Sequence, residues 1–214
     1  MTQPDSKFAS EFIQAQHYQA VSDAAPRVIR RVFIHSMENV DKPGTAKGVA
    51  VWFSGKARAP APVASAHYCC DGSGPSVVQC VREADVAYAA PGANHDGIHV
   101  ELAGMAKQST SDWLADSGLL DVAANLVADI LTNNDIPPTF VDAEGLLRDE
   151  QGVSTHHQVT LACALAKQRM LTGSEYYPAQ NNHTDPGQSY PMDHFLEMIR
   201  GRMTWPDAST EPAA

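Results

Sequence analysis

Residues 27–35, RVIRRVFIH, decide the fold class. Val28, Ile29, Val32, Phe33 and Ile34 are residues that strands favour, and the run predicts a strand ending on His35. At His35 the chain leaves the sheet, which is where α/β folds place their chemistry. Working outward, Thr45 to Gly55 (TAKGVAVWFSG) carries Val49, Trp52 and Phe53 at helical spacing. Thr45 is placed to cap this helix and Gly55 to end it. Residues 56–63, KARAPAPV, form a proline-broken loop. Residues 64–70 and 77–81 predict a hairpin across the turn DGSGPS. Gly97 to Leu102 is a further strand. Thr110 to Asn133 carries the longest helical stripe in the chain and predicts a single helix. Two more helices follow, over 159–171 and 190–203. Strands with helices between and after them give an α/β class: a single mixed central sheet with helices packed on it. No repeat appears. The expected organisation is an N-terminal extension over 1–26, one domain over 27–204, and a flexible polar tail over 205–214.

Composition narrows what such a domain binds. Of 214 residues, 43 % are hydrophobic and 19 % charged, and 15 basic against 25 acidic side chains give a formal net charge of −10. That excludes nucleic acid as the main partner, since phosphate binding needs clustered cations. The one basic cluster, Arg27, Arg30 and Arg31, flanks the first strand and reads as its solvated end. No apolar run approaches ~20 residues, so no membrane insertion is expected. Met1 to Ser10 lacks the basic start and apolar stretch of a secretory signal. Cys69, Cys70, Cys80 and Cys163 form no C-x-x-C pair. Buried thiols are the default for them, with a bridge between Cys80 and the Cys69–Cys70 strand as the alternative.

Nine histidines stand out, and their positions matter more than their number. His35 closes the first strand. His156 and His157 follow GVST, and His183 and Asp185 precede a Pro186-Gly187 turn. Catalytic zinc takes three protein ligands of these types and keeps a place for water, whereas structural zinc prefers cysteine sets. The H-E-x-x-H pair of many metalloproteases is absent. Spacing alone leaves a metal site and ordinary core histidines both open.

Four segments resemble a known family: VFIHSME from Val32, ASAHY from Ala64, GIHVELAG from Gly97 and HTDPGQSYP from His183. They are similar, in order and spacing, to the type-2 N-acetylmuramoyl-L-alanine amidases, relatives of phage amidases and peptidoglycan recognition proteins. The run DVAYAAPGANHDGIHVELAG, from Asp85 to Gly104, resembles lysins of phages of mycobacteria and related actinobacteria. The resemblance implies a Zn2+ held by His35, His156 and Asp185, and hydrolysis of the amide joining the lactyl group of N-acetylmuramic acid to L-alanine in bacterial peptidoglycan. It implies Glu101 as catalytic carboxylate and His183 as oxyanion partner, where many relatives have lysine. His67, Asn94 and His99 become candidate substrate contacts, with core, turn or solvent roles as their simpler alternatives. His157 is the alternative ligand to its neighbour.

The sequence also departs from the family. His156 and Asp185 stand 29 positions apart, farther than in many relatives, and Ala89 occupies the histidine position of the common WHAG segment. The resulting expectation is a phage endolysin, made in the host cytoplasm without a signal peptide, acting on the wall after release, and monomeric. A peptidoglycan-binding module without activity and an intracellular wall-recycling amidase are the rivals. The first would lack a ligand; the second differs in substrate.

Overall fold

The computed structural model describes residues 3–58, 60, 62–72 and 76–203. In chain order the elements are β1 (Glu11–Phe12), β2 (Tyr18–Gln19), β3 (Arg31–Ser36), α1 (Thr45–Phe53), β4 (Tyr68–Asp71), β5 (Ser76–Gln79), β6 (Val86–Ala87), β7 (Gly97–Leu102), α2 (Thr110–Ala115), α3 (Ser117–Asn133), α4 (Ala143–Leu147), β8 (Gly152–Thr155), α5 (His156–Gln168) and α6 (Met192–Arg200). Six strands form one sheet in the order β1-β5-β4-β7-β3-β8, and β2 and β6 form a small second ribbon. All pairings in the main sheet are parallel except the β4–β5 hairpin. The architecture is the mixed central sheet with packed helices that the sequence predicts.

Parallel strands need both faces covered, and side-chain alternation assigns each face its helices. On one face Val32, Ile34, Ile98, Val100, Leu102, Cys70 and Val153 join α3 and α6 in the main core. The other face carries two smaller apolar clusters. Phe33 packs with Val159, Ala162 and Cys163 of α5. Cys69 and Val78 pack with Ala46, Ala50 and Phe53 of α1. Between these clusters the same face presents His35 and Glu101, which are directly opposed across β3 and β7, and His99 one step back along β7.

Several expectations are corrected. The predicted helix over 110–133 is two helices. Asp116 leaves helical geometry, and its side chain accepts from Leu119 N to cap α3. Ser109 caps α2 in a capping box with Asp112. The apolar stripe hid the break because Leu114 is exposed while Trp113 is core. Gly72 fits against this junction: a Cβ there would lie 2.3 Å from Leu119 N. Helix α1 begins after Gly44, and Thr45 does not cap it; its hydroxyl donates to Val40 O instead. Helix α5 starts three residues earlier than predicted and α6 is shorter at both ends.

Residues 1–26, read as an extension, contribute β1 to the edge of the sheet, where Glu11 registers with Val78, and β2 to the ribbon with β6. Two-residue strands leave no periodic trace in sequence. All four cysteines are free and buried, with the Cys69 and Cys80 sulfurs 3.8 Å apart. Residues 205–214, and positions 73–75 of the predicted turn, lie outside the described residues.

Candidate metal centre and its cleft

Strand register sets the geometry of the site. His35 sits opposite Glu101 on β7, and Ile34 sits opposite Thr155 on β8. The residue after Thr155 is therefore level with His35. The Thr155 side chain accepts from Gln158 N and turns the chain directly from β8 into α5, so His156 is the first residue of that helix. The 28 residues between His156 and Asp185 hold the rest of α5 and a return segment that seats Tyr176 beside Val159 and Ala162. The returning loop is tied to the start of α5. His157 N donates to Asp185 O at 3.0 Å, and Thr160 Oγ1 donates to His183 O at 2.8 Å. Gly187, at φ +95°, lets the loop press on residue 106, since a Cβ would fall 2.0 Å from Ala106 O.

Three donor atoms converge. His35 Nδ1 lies 3.1 Å from His156 Nδ1 and 3.1 Å from Asp185 Oδ2, and His156 Nδ1 lies 3.2 Å from Asp185 Oδ1. Among the described residues this is the group of three whose ligand atoms lie mutually within 4.8 Å, and all three are buried. The donor set fits a cation. Zinc bonds of ~2.0–2.1 Å in a tetrahedron put neighbouring donors ~3.3 Å apart, close to the observed edges. Two bare imidazole nitrogens facing each other at 3.1 Å otherwise repel.

Protonation favours ligation as well. Burial works against ionisation of Asp185, but the adjoining His156 and His35 rings outweigh it and hold the carboxyl well below its ordinary range. Burial pushes the His156 pKa down, keeping the ring neutral. An ionised carboxylate and neutral imidazoles are the forms that bind metal.

Glu101 and His183 flank the cluster in one cleft, with Ser36, Glu38, Trp52 and Tyr88 among its other walls. Burial, then the charges of Asp185 and Glu38, push the Glu101 pKa up to about 8, and one of its oxygens is sealed from water with no partner. The His183 ring stacks on His156 at 4.3 Å, with Nδ1 3.4 Å from Asp185 Oδ1, and its side chain is 62 % exposed. Trp52 is half-exposed in the cleft and donates from its indole to Pro60 O at 3.0 Å. Its neighbour Phe53 takes the core position.

Other candidates fall elsewhere. His157 points away from the cluster, into a recess with Phe140, Gln158 and Tyr190. His67 and His99 are fully buried and do not line the cleft. Asn94 is a turn residue whose Oδ1 accepts from Ala89 N and Ala90 N at 3.1 and 2.7 Å. All three sit as internal supports in the structure. Tyr88 and Ala89, the departure from WHAG, do line the cleft. A larger cavity of about 580 Å³ lies at the opposite end of β3, lined by Asp96, Asp149 and Arg31, whose guanidinium is ion-paired to both carboxylates. It contains no comparable ligand set.

A mixed-sheet α/β domain with a His-His-Asp cluster in an open cleft is the class that fold and site define. Residues 25–188 match the family model described as N-acetylmuramoyl-L-alanine amidase, and the chain belongs to that family of peptidoglycan amidases. Its fold is similar to the Staphylococcus aureus hydrolase AmiA, with a TM-score of 0.55 and 15 % identity over 90 % of this chain and 89 % of that one. The N-acetylmuramoyl-L-alanine amidase LysC of Clostridium intestinale gives a TM-score of 0.49 at 10 % identity, covering 88 % and 97 %. AmpD gives 0.48 at 15 % identity, covering 95 % and 100 %. No curated protein matches the sequence. Among the described residues, no helix is long and apolar enough to cross a membrane.

Proposed function

We propose that this chain is a zinc-dependent N-acetylmuramoyl-L-alanine amidase that cuts the amide between the muramic lactyl group and L-alanine, and that it serves as a phage endolysin. The observation that carries the chemistry is the convergence of His35, His156 and Asp185 beside the Glu101 carboxyl in one cleft. Membership of the family supplies the substrate class. A binding module without activity is disfavoured because the complete ligand set and the acid/base carboxyl are present together.

Zinc held by these three residues supplies Lewis acidity and lowers the pKa of a water to about 7. The chain's own groups do the rest. With a cation held beside it Glu101 is favoured as the carboxylate, and in that form it takes the proton of the attacking water and passes it to the departing nitrogen of L-alanine as the carbonyl–nitrogen bond breaks. His183 borders the cluster and donates a hydrogen bond to the carbonyl oxygen as charge builds on it. Trp52 and Tyr88 give the cleft aromatic walls.

The endolysin assignment draws on the likeness of residues 85–104 to actinophage lysins. It places synthesis in the host cytoplasm and action at the wall after release, as a monomer. Metal analysis tests the chemistry: one zinc equivalent is expected, with activity lost on chelation and restored by zinc. His35→Ala, His156→Ala and Asp185→Ala should each lose the metal, whereas His157→Ala should keep it. Full activity in metal-free protein would overturn the proposal.

A further inference from the structure

Two buried histidines, His67 and His99, take no part in the cleft; His99 adjoins His35, and His67 lies behind His99. We propose that His99 is a positioning residue: it accepts the Nε2–H of His35 and so fixes His35 with a bare Nδ1 turned toward the metal. The inference rests on the metal reading of the cluster.

The reasoning starts from the two nitrogens of His35. Nδ1 faces His156 and Asp185. Nε2, on the other side of the ring, lies 3.0 Å from His99 Nδ1. A neutral imidazole carries one proton, and leaving Nδ1 free to bind a cation puts that proton on Nε2. Buried there, the N–H needs an acceptor, and His99 Nδ1 is in place. The reverse arrangement, in which His99 Nδ1–H donates to His35 Nε2, puts the His35 proton on Nδ1. That proton points at Asp185 and blocks ligation.

His99 cannot easily turn away. Its ring is stacked between Phe33, at 5.2 Å and 14°, and His67, at 5.8 Å and 14°. Its backbone N–H donates to His67 Nδ1 at 3.0 Å, which makes Nδ1 the acceptor of that ring, and His67 Nε2 lies 3.2 Å from Asp85 O and 3.1 Å from the Arg27 guanidinium. Beyond His67, the Arg27 guanidinium donates to the carbonyls of Glu83, Asn94 and Gly97 and locks the surrounding loops. With Nδ1 accepting, His99 carries its proton on Nε2, which is sealed from water and partnerless. The fold tolerates that unmet donor, and the geometry assigns the return to the orientation of His35. Groups of this kind behind a ligand typically change metal affinity 10–100-fold.

Asparagine and leucine separate the acceptor from the shape. Asn Oδ1 stands near the place of a histidine Nδ1; Leu fills the same space with no acceptor. Zinc affinity is measured by competition with a chromophoric chelator for wild type, His99→Asn and His99→Leu, with thermal melts as a fold control. Leu should weaken zinc about 10–100-fold and Asn should stay within about threefold of wild type. Equal weakening by Asn and Leu, or wild-type affinity in Leu, would overturn the proposal. Nitrogen-15 shifts of the zinc-loaded wild type give a second reading that needs no variant: His35 protonated on Nε2 and His99 bare on Nδ1 are expected, and a protonated His99 Nδ1 overturns the assignment. Wild-type protein that binds no zinc would instead bring down the metal reading, and this inference with it.

Discussion

Glu101→Gln removes a carboxyl whose pKa the metal-free fold raises, and its consequences can be worked from the structure. Burial first, then the charges of Asp185 and Glu38, push the pKa from 4.5 to about 8 in the metal-free protein. The unfolded chain ionises this residue near its ordinary value. Between the two values the folded protein holds a proton that the unfolded chain has released, so stability falls as pH rises. The residue contributes up to ~1.4 kcal/mol per pH unit, or roughly 4 kcal/mol across the window. Glutamine keeps the shape and loses this slope. Urea unfolding of metal-free wild type and variant between about pH 5 and 9 should show the stability difference moving toward the variant by roughly that amount, mostly below pH 8. Asp116, whose pKa burial and a hydrogen bond to Asp41 raise to about 6, titrates in the same direction but is common to both proteins. Parallel pH profiles would refute the reasoning. In zinc-loaded protein the same substitution should keep the metal and lower hydrolysis by about 10²- to 10⁴-fold.

His183→Ala should leave zinc content unchanged and lower turnover by about 10²-fold, because the ring acts on charge that develops in the transition state. Burial and the neighbouring His156 lower the His183 pKa, so the ring is mostly neutral near pH 7. His183→Lys should therefore retain substantial activity and flatten any loss of rate caused by titration of this ring, as read in pH–rate profiles. Loss of zinc in the alanine variant would contradict that role. Gly187→Ala should destabilise the protein by about 2 kcal/mol or more, since residue 187 combines φ +95° with a clash against Ala106 O. It should also weaken zinc, because the loop carrying Asp185 must shift; thermal melts and metal titration check both effects.

Much of the fold was legible in the sequence because long apolar runs dominate it. RVIRRVFIH, the hairpin around DGSGPS and GIHVELAG each became strands of the main sheet. The break between α2 and α3 was missed because an unbroken apolar stripe outweighs one aspartate, although Asp116 with Ser117 and Gly118 is a start signal in retrospect. Strands β1 and β2, two residues each, are too short for periodicity to register; they and β8 exist through pairing with distant partners. The three candidate ligands came from motif resemblance, and the structure brings them together. The fates of His67, His99 and Trp52 were not legible. Whether a histidine lines a cleft or braces a ligand depends on the ring stacked above it and the atom it faces. That information is tertiary, as it is for Trp52, whose side of α1 is set by which face Phe53 buries.

Mass spectrometry of purified peptidoglycan digested with zinc-loaded protein, beside a chelated control, tests the central claim most directly. Stem peptides bearing a free L-alanine amino group, and glycan chains with intact glycosidic bonds and free lactyl carboxyls, are predicted in the zinc-loaded sample alone. New reducing sugar ends, cleavage within the stem, or the same products after chelation would contradict the account.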